Sequence, residues 1–281
     1  MTKLIEISCI EHIYPDKTRV EICGIEFTVN KGEKVALLGP NGGGKTTLIK
    51  HILGILTPKH GEVKVFGLNP VKDFDKVREK MGVVLQSVEE QLIGPTVLDD
   101  IIFSPLNYGY SREQALDMAD KIMERLEISH LKDKIIHYLS GGEKRKVALA
   151  GALILNPELL IMDEPFSALD FRSQKELAKL INEISAEKKI SVVISTHDLE
   201  LVSDFADTVY LISSKDHLLK KGTPKEIFYL NEELKSFHLE EPNIVKIFNS
   251  LKTSGFDLGN PITSDEAVNI LLKRLQDQVK Q

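Results

Sequence analysis

The spacing of apolar positions changes several times along the chain. Residues 3–10 are largely apolar and read as a strand. Residues 19–29 alternate polar and apolar, as a half-exposed strand does, and Tyr14-Pro15-Asp16 between the two marks a turn. After the turn Asn30-Lys31-Gly32-Glu33, the unbroken run Val35-Ala36-Leu37-Leu38 predicts a strand buried on both faces. Short strands follow near 62–66 and at Gly82-Val83-Val84-Leu85, the latter ending at Gln86. From about 87 to 157 strand signals vanish. Ala115, Leu116, Ala119, Ile122, Met123 and Leu126 recur at helical spacing over 112–128, with Ser111 as N-cap and Gln114 three residues on. Residues 143–155 predict a second helix. Leu159-Leu160-Ile161-Met162-Asp163 returns to a buried strand. A helix at about 172–187, a strand over 190–195, a helix over 198–205 and strands near 208–212 and 217–220 complete the alternation.

Alternating β and α units with short connections predict an α/β fold: a mainly parallel sheet with helices packed around it. The block 87–157 reads as a helical insertion, and the cassette closes near residue 230. Residues 231–281 differ again, with no strong strand and two helical patches. There, Thr263-Ser264-Asp265-Glu266 forms a capping box. Val268, Leu271, Leu272, Leu275 and Val279 then line one apolar stripe. The pattern allows a helix packed on its own domain or a surface for self-association.

The bulk numbers narrow the classes. Of 281 residues, 42% are hydrophobic and 28% charged, ordinary for a globular protein with a full core. The formal net charge of −6 argues against a general nucleic-acid binder. The two cysteines, Cys9 and Cys23, imply no disulfide framework, and a reducing cytoplasm fits them. The most apolar passage, 147–162, is broken by Asn156-Pro157-Glu158 and is too short to span a bilayer. Membrane association therefore goes through a partner.

Candidate chemistry centres on Gly39-Pro40-Asn41-Gly42-Gly43-Gly44-Lys45-Thr46-Thr47, which sits between a strand-like and a helix-like run. Glycines let successive backbone N–H groups turn inward around phosphate oxygens, and the following helix points its positive end at the same place. Lys45 can reach the β- and γ-phosphates, and the Thr46 hydroxyl can ligate Mg²⁺. Asp163, ending a buried strand, is a second candidate Mg²⁺ ligand. Glu164 beside it can orient or deprotonate an attacking water. Gln86 is placed to touch Mg²⁺ or that water, and His197, after the strand 190–195, to hydrogen-bond the γ-phosphate. Leu139-Ser140-Gly141-Gly142-Glu143 precedes a helix and makes a second anion site at a helix start. The basic run Lys144-Arg145-Lys146 reads as a solvated helix face.

Together these segments resemble the ABC-type ATPases. The match comprises the Walker A loop 39–46, the Q-loop Gln86, the signature 139–143, the Walker B strand 159–163 with Glu164, the D-loop Ser167-Ala168-Leu169-Asp170 and the switch His197, in the family's order over about 1–230. The resemblance implies a P-loop NTPase with an N-terminal antiparallel β part, a helical subdomain and ATP with Mg²⁺ as cofactors. It also implies Tyr14 stacked on adenine, and two such domains paired head-to-tail. Each ATP then lies between one chain's 39–47 and the other's Ser140, Gly141 and Gly142, with Asp170 nearby. Two positions depart from the family pattern. Glu143 replaces the usual glutamine, adding negative charge unless Lys144 or Arg145 offsets it, and Thr46 replaces the commoner serine with its hydroxyl kept.

A closer similarity is to the energy-coupling-factor group, which includes cobalt and nickel importer ATPases. It rests on 86–97, on Ser104-Pro105-Leu106-Asn107-Tyr108-Gly109 and on the tail from Pro242 to Ala267. It implies that 231–281 helps hold two ATPases together, as identical or paralogous chains. It further implies that 87–110 receives a coupling subunit in the membrane, that a substrate-binding membrane subunit completes the importer, and that the chain lies on the cytoplasmic face. The rivals are a soluble ABC ATPase acting on ribosomes or DNA, and an ordinary P-loop kinase. A single cassette and the acidic balance disfavour the first; the loop 139–143 and Asp170 have no purpose in the second.

Overall fold

The computed structural model describes residues 2–24, 26–167, 169–213, 218–237 and 239–279, without side chains for 218–219 and 277–279. Its strands are β1 (Lys3–Ile7), β2 (Ile10–Ile13), β3 (Arg19–Ile22), β4 (Phe27–Asn30), β5 (Lys34–Leu38), β6 (Val63–Val65), β7 (Met81–Val84), β8 (Leu159–Asp163), β9 (Ser191–Thr196), β10 (Thr208–Ser213) and β11 (Leu218–Gly222). The six-stranded sheet has the order β11-β10-β5-β9-β8-β7 and is parallel except for the hairpin β10–β11. A three-stranded antiparallel sheet, β4-β1-β6, and the ribbon β2–β3 stand apart from it.

Period-two alternation explains how one sheet serves two cores. Val35, Leu37, Leu159, Ile161 and Val193 face a cluster shared with the antiparallel sheet and with α1 (Lys45–Ile52). Ala36, Leu38, Leu160, Met162, Val192 and Ile194 face the other way, into a larger cluster that holds the helical block and part of the C-terminal segment. That block contains α3 (Val88–Gln91), α4 (Val97–Asn107), α5 (Arg112–Arg125) and α6 (Gly141–Leu153), after the short α2 (Phe74–Arg78). No strand lies between 87 and 157, as the loss of alternation predicts. Ser111 and Gln114 cap α5 reciprocally. Beyond β8 come α7 (Phe171–Lys188), α8 (Leu199–Val202), α9 (Pro224–Phe228), α10 (Asn231–Ser236), α11 (Asn243–Thr253) and α12 (Ser264–Val279).

Three expectations are corrected. The predicted strands 3–10 and 19–29 each break in two, because the chain leaves the antiparallel sheet to make the ribbon β2–β3. That ribbon pairs Ile10 with Ile22, so Cys9 and Cys23 face each other one step further on, with Cα atoms 4.3 Å apart, and are joined by a disulfide. The expectation of two unbridged cysteines missed this because the pairing depends on a strand break that the apolar pattern does not mark.

The tail is the third. The Thr263 hydroxyl accepts from the Glu266 N–H at 3.2 Å, but Glu266 reaches back to the Ile262 N–H rather than to that of Thr263. Ala267 is buried, whereas Val268, Leu271, Leu272 and Leu275 are exposed. The stripe therefore does not pack on its own domain; the side chain of Val279 lies outside the described residues. Among the described residues no helix is long and apolar enough to cross a membrane.

Candidate active site

The parallel strands β5, β8 and β9 end side by side and deliver three loops to one edge of the sheet. The loop after β5 is the glycine loop. A Cβ at Gly39 would collide with the carbonyl oxygen of Ile212, so only glycine lets the loop cross the end of β10. Gly44, the N-cap of α1, has φ 98°, a left-handed conformation that glycine adopts without Cβ strain. Lys45 and Thr46 thus enter the first turn of the helix beside the exposed N–H groups of the loop. The Lys45 ammonium, nearly buried, donates to the carbonyls of Gly39 at 2.8 Å and Pro40 at 3.3 Å, and lies 3.3 Å from Glu164 Oε1.

At the end of β8 the Thr46 hydroxyl donates to Asp163 Oδ2 at 2.9 Å, and the Ser195 hydroxyl donates to Asp163 Oδ1. The register pairs Asp163 with Ser195, so the contact follows from the sheet itself. Glu164 follows with φ 47°, a left-handed backbone that a residue with a Cβ adopts at a cost. Several partners hold it there. Its N–H donates to the Ser195 hydroxyl at 2.9 Å and to the Ser195 carbonyl at 3.1 Å. Its carbonyl accepts from the Ser167 N–H at 3.1 Å, the Ser167 hydroxyl at 2.9 Å and an Arg145 guanidinium nitrogen at 3.1 Å. The side chain then points Oε1 at Lys45 and Oε2 at His197 Nδ1, 3.0 Å away. His197 itself is more than half exposed.

A cleft of about 390 Å³ opens over these groups, lined by residues 40–47, Glu164, Gln86 and, across the top, Tyr14, Thr18 and Val20. Tyr14 sits at the tip of the ribbon β2–β3, with its hydroxyl 2.9 Å from that of Thr47. Gln86 is exposed, two residues beyond the end of β7.

The structure therefore gathers Tyr14, the glycine loop with Thr47, Gln86 and Glu164 about one cleft, with Asp163 joined to it through Thr46 and His197 through Glu164; His197 itself lines a neighbouring cavity with Asn41 and residues 239–243. Ser140, Gly141, Gly142 and Asp170 are not part of the cleft. Ser140 caps α6 reciprocally with Glu143. Asp170 caps α7, accepting from the N–H groups of Arg172 and Ser173, and the Ser173 hydroxyl bond holds its carboxyl below the usual range. Ala168 of the same loop lies outside the described residues.

Two local readings change. Lys144-Arg145-Lys146 is not a solvated face: Arg145 is buried, and Lys144 pairs with Glu89 at 2.5 Å. The counter-charge to Glu143 comes from Lys134, at 3.4 Å, rather than from Lys144 or Arg145. Hydrogen bonds from Ser140 hold the Glu143 carboxyl below its ordinary range. Ser195 and Arg145 were missed as site residues. A serine ending the apolar run Val192-Val193-Ile194 at the same sheet edge as Asp163 was the available signal for the first; no local signal marks the second.

A glycine loop at the carboxyl edge of a parallel sheet, with its lysine facing a carboxylate that a histidine also holds, is the arrangement of a P-loop nucleoside-triphosphatase. Comparison with known proteins narrows this. The ABC transporter family matches residues 22–167. A putative ABC transporter ATP-binding protein of Methanopyrus kandleri is 40% identical over 95% of this chain and 97% of its own. The energy-coupling factor transporter ATP-binding protein EcfA of Methanothermobacter thermautotrophicus is 38% identical over 97% of this chain and 88% of its own. Among solved structures, CbiO1 of Clostridium perfringens, part of the ABC transporter complex CbiONQ, superposes with a TM-score of 0.75 at 32% identity, covering 89% of this chain and all of its own. The chain belongs to the ABC transporter ATPases: it binds ATP, and its hydrolysis of ATP is coupled to transport.

Proposed function

We propose that the chain is the motor subunit of an energy-coupling-factor-type importer for cobalt, nickel or a vitamin, working at the cytoplasmic face of a membrane through integral partners. The observation that carries the reading is the aim of Glu164, held between Lys45 and His197 at the mouth of a phosphate-binding loop. Lys45 and the loop N–H groups bind the phosphates, and Tyr14 meets the adenine. Glu164 orients the attacking water and takes its proton, and His197 holds the Glu164 carboxylate and the γ-phosphate. Gln86, which lines the same cleft as Glu164, contacts the metal or the water.

The oxygen donors Thr46 Oγ1 and Asp163, already within hydrogen-bond distance of each other, form the hard donor set that suits Mg²⁺, with Gln86 as a further ligand. Bound there with ATP, Mg²⁺ would supply neutralisation of phosphate charge.

Ser140, Gly141, Gly142 and Asp170 lie outside their own chain's cleft, which supports their serving the ATP of a second, head-to-tail subunit. Residues 1–230 are the ATPase domain, with 87–157 as its helical subdomain. Residues 231–281 are a dimerisation extension, whose exposed Val268, Leu271, Leu272 and Leu275 offer the contact. Ile93, Phe103 and Leu106 give the helical block an exposed apolar surface for a coupling subunit. The ribosome- or DNA-directed alternative gains no support from the relatives, which match nearly the whole chain as transporter ATPases.

The test is specific activity against protein concentration, for the full chain and for one lacking 231–281, together with capture of integral proteins from the membranes of the source cells. Pairing predicts activity that rises with concentration and a shift to higher concentration on truncation. Concentration-independent hydrolysis and no captured membrane protein would reject the reading.

A further inference from the structure

Arg145 is an unusual residue for its place. It stands on the second turn of α6, the helix whose start carries Ser140, Gly141 and Gly142, and only 6% of it is exposed. Its neighbours in sequence, Lys144 and Lys146, keep their ammonium groups near the surface, on Glu89 and on the Leu126 carbonyl. Arg145 instead turns inward. One guanidinium nitrogen donates to the carbonyls of both Glu164 and Pro165, and Nε is buried without a hydrogen-bond partner. These partners are neutral carbonyls, so the buried cation is held by hydrogen bonds and not by an ion pair. The residue it grips is the one whose left-handed backbone aims a carboxylate at Lys45 and His197.

We propose that Arg145 is a positioning residue for hydrolysis: it locks the Glu164 turn to the helix that begins at the second anion site. The inference rests on the function proposed above, in which Glu164 is the general base and the start of α6 meets the ATP of the other subunit. The left-handed turn at Glu164 persists only while its surroundings over-determine it. Ser195 fixes its N–H side within the sheet, and Ser167 and Arg145 fix its carbonyl side. Of these, only Arg145 comes from the helical block. A displacement of α6 on meeting phosphate is thereby passed to the Glu164 backbone, and the base is in line only when the signature helix is seated. Small misplacement of a reacting group lowers the chemical step without loss of binding.

The experiment compares the full chain with Arg145→Ala, Arg145→Lys and Arg145→Met, measuring kcat, KM and the affinity for a fluorescent ATP analogue. For Arg145→Ala, kcat falls roughly a hundredfold while analogue affinity stays within about twofold. Arg145→Lys, able to keep one of the two carbonyl contacts, lies between. Millimolar guanidinium added to Arg145→Ala recovers part of kcat, whereas the same salt leaves the wild type and Arg145→Met unimproved. Unchanged kcat in Arg145→Ala overturns the proposal, as does a parallel loss of kcat and nucleotide affinity, or the absence of any guanidinium response. If Arg145→Ala does not fold, Arg145→Lys decides: wild-type kcat there rejects the role. A wild type that binds ATP but never hydrolyses it would instead reject the underlying function, so the two failures are distinguishable.

Discussion

The Thr46 hydroxyl donates to Asp163 Oδ2 across 2.9 Å, joining the first turn of α1 to the last residue of β8. The two are 117 positions apart, and the sheet brings them together because β5 and β8 both flank β9 and end at the same edge. If these oxygens hold the metal that accompanies ATP, Thr46→Val loses hydrolysis by roughly a hundredfold. Thr46→Ser, which keeps the hydroxyl, stays within about threefold. Hydrolysis measured against Mg²⁺ concentration checks this. A Thr46→Val enzyme with an unchanged Mg²⁺ requirement would remove Thr46 from the ligand set.

Glu164→Gln tests the base. The amide retains the size of the side chain and cannot take a proton, so turnover falls by roughly 10²–10⁴-fold while ATP binding survives. The buried Lys45 also loses a nearby negative charge, which favours retention of the triphosphate. The expected product is a stable ATP-bound pair of chains, visible as a doubled mass by light scattering with unhydrolysed nucleotide. Near-normal turnover would remove Glu164 from the mechanism. Lys45→Ala is the complement: ATP affinity is lost, and retained affinity would contradict the phosphate role of the loop.

Glu143 departs from the family's usual glutamine, and its surroundings say how little this changes. Its carboxylate accepts from the Ser140 N–H at 2.7 Å and the Ser140 hydroxyl at 2.8 Å, and faces Lys134. A glutamine at this third helical position can make the same reciprocal cap. Glu143→Gln therefore leaves hydrolysis within about twofold, and Glu143→Ala, which removes the side-chain half of the cap while the Ser140 hydroxyl still accepts from the backbone N–H at 143, lowers stability by no more than about 1 kcal/mol. Denaturant melts of both variants check the stability, and a large gain in activity for Glu143→Gln would show that the extra charge opposes closure.

The sequence made most of the core legible because local pattern determines it. Five residues ending in Asp163 predict β8 with its bounds intact, and the absence of alternation predicts the helical block. The spacing of Gly39 to Thr47 predicts the glycine loop that the structure places between β5 and α1. What escaped depends on partners distant in the chain. Lys144, Arg145 and Lys146 look alike in sequence, and only the packing of α6 against the Walker B turn decides that the middle one is buried. Cys9 and Cys23 meet through a ribbon created where β1 ends at Ile7 and β3 ends at Ile22. The apolar stripe of α12 left open whether it packs on its own domain or serves self-association, and only the fold decides that Ala267 is buried while the leucines face out.

The most informative pH effect is expected at His51, on the phosphate-loop helix. It is fully buried, and its Nδ1 lies 3.0 Å from the Leu56 carbonyl oxygen. Burial pushes its pKa down from 6.5 to about 4, against the raising effect of the Leu56 contact; the nearby His12 lowers it further. The folded chain thus keeps His51 neutral, with Nδ1–H donating to Leu56 and Nε2 without a hydrogen-bond partner. The unfolded chain takes up a proton below about pH 6.5, which the folded chain refuses until about pH 4. The unfolded state binds more protons throughout that window, so stability is complete above it and declines as the pH falls through it. A shift of this size corresponds to as much as about 3 kcal/mol. His51→Asn removes the titration while retaining a side-chain donor, at the cost of some packing. Its Tm is expected to be lower at pH 7 but to fall less steeply between pH 6.5 and 4 than that of the wild type. Parallel Tm–pH curves for the two proteins would show that His51 is protonated in the fold, and that its helix tolerates a buried charge beside the phosphate loop.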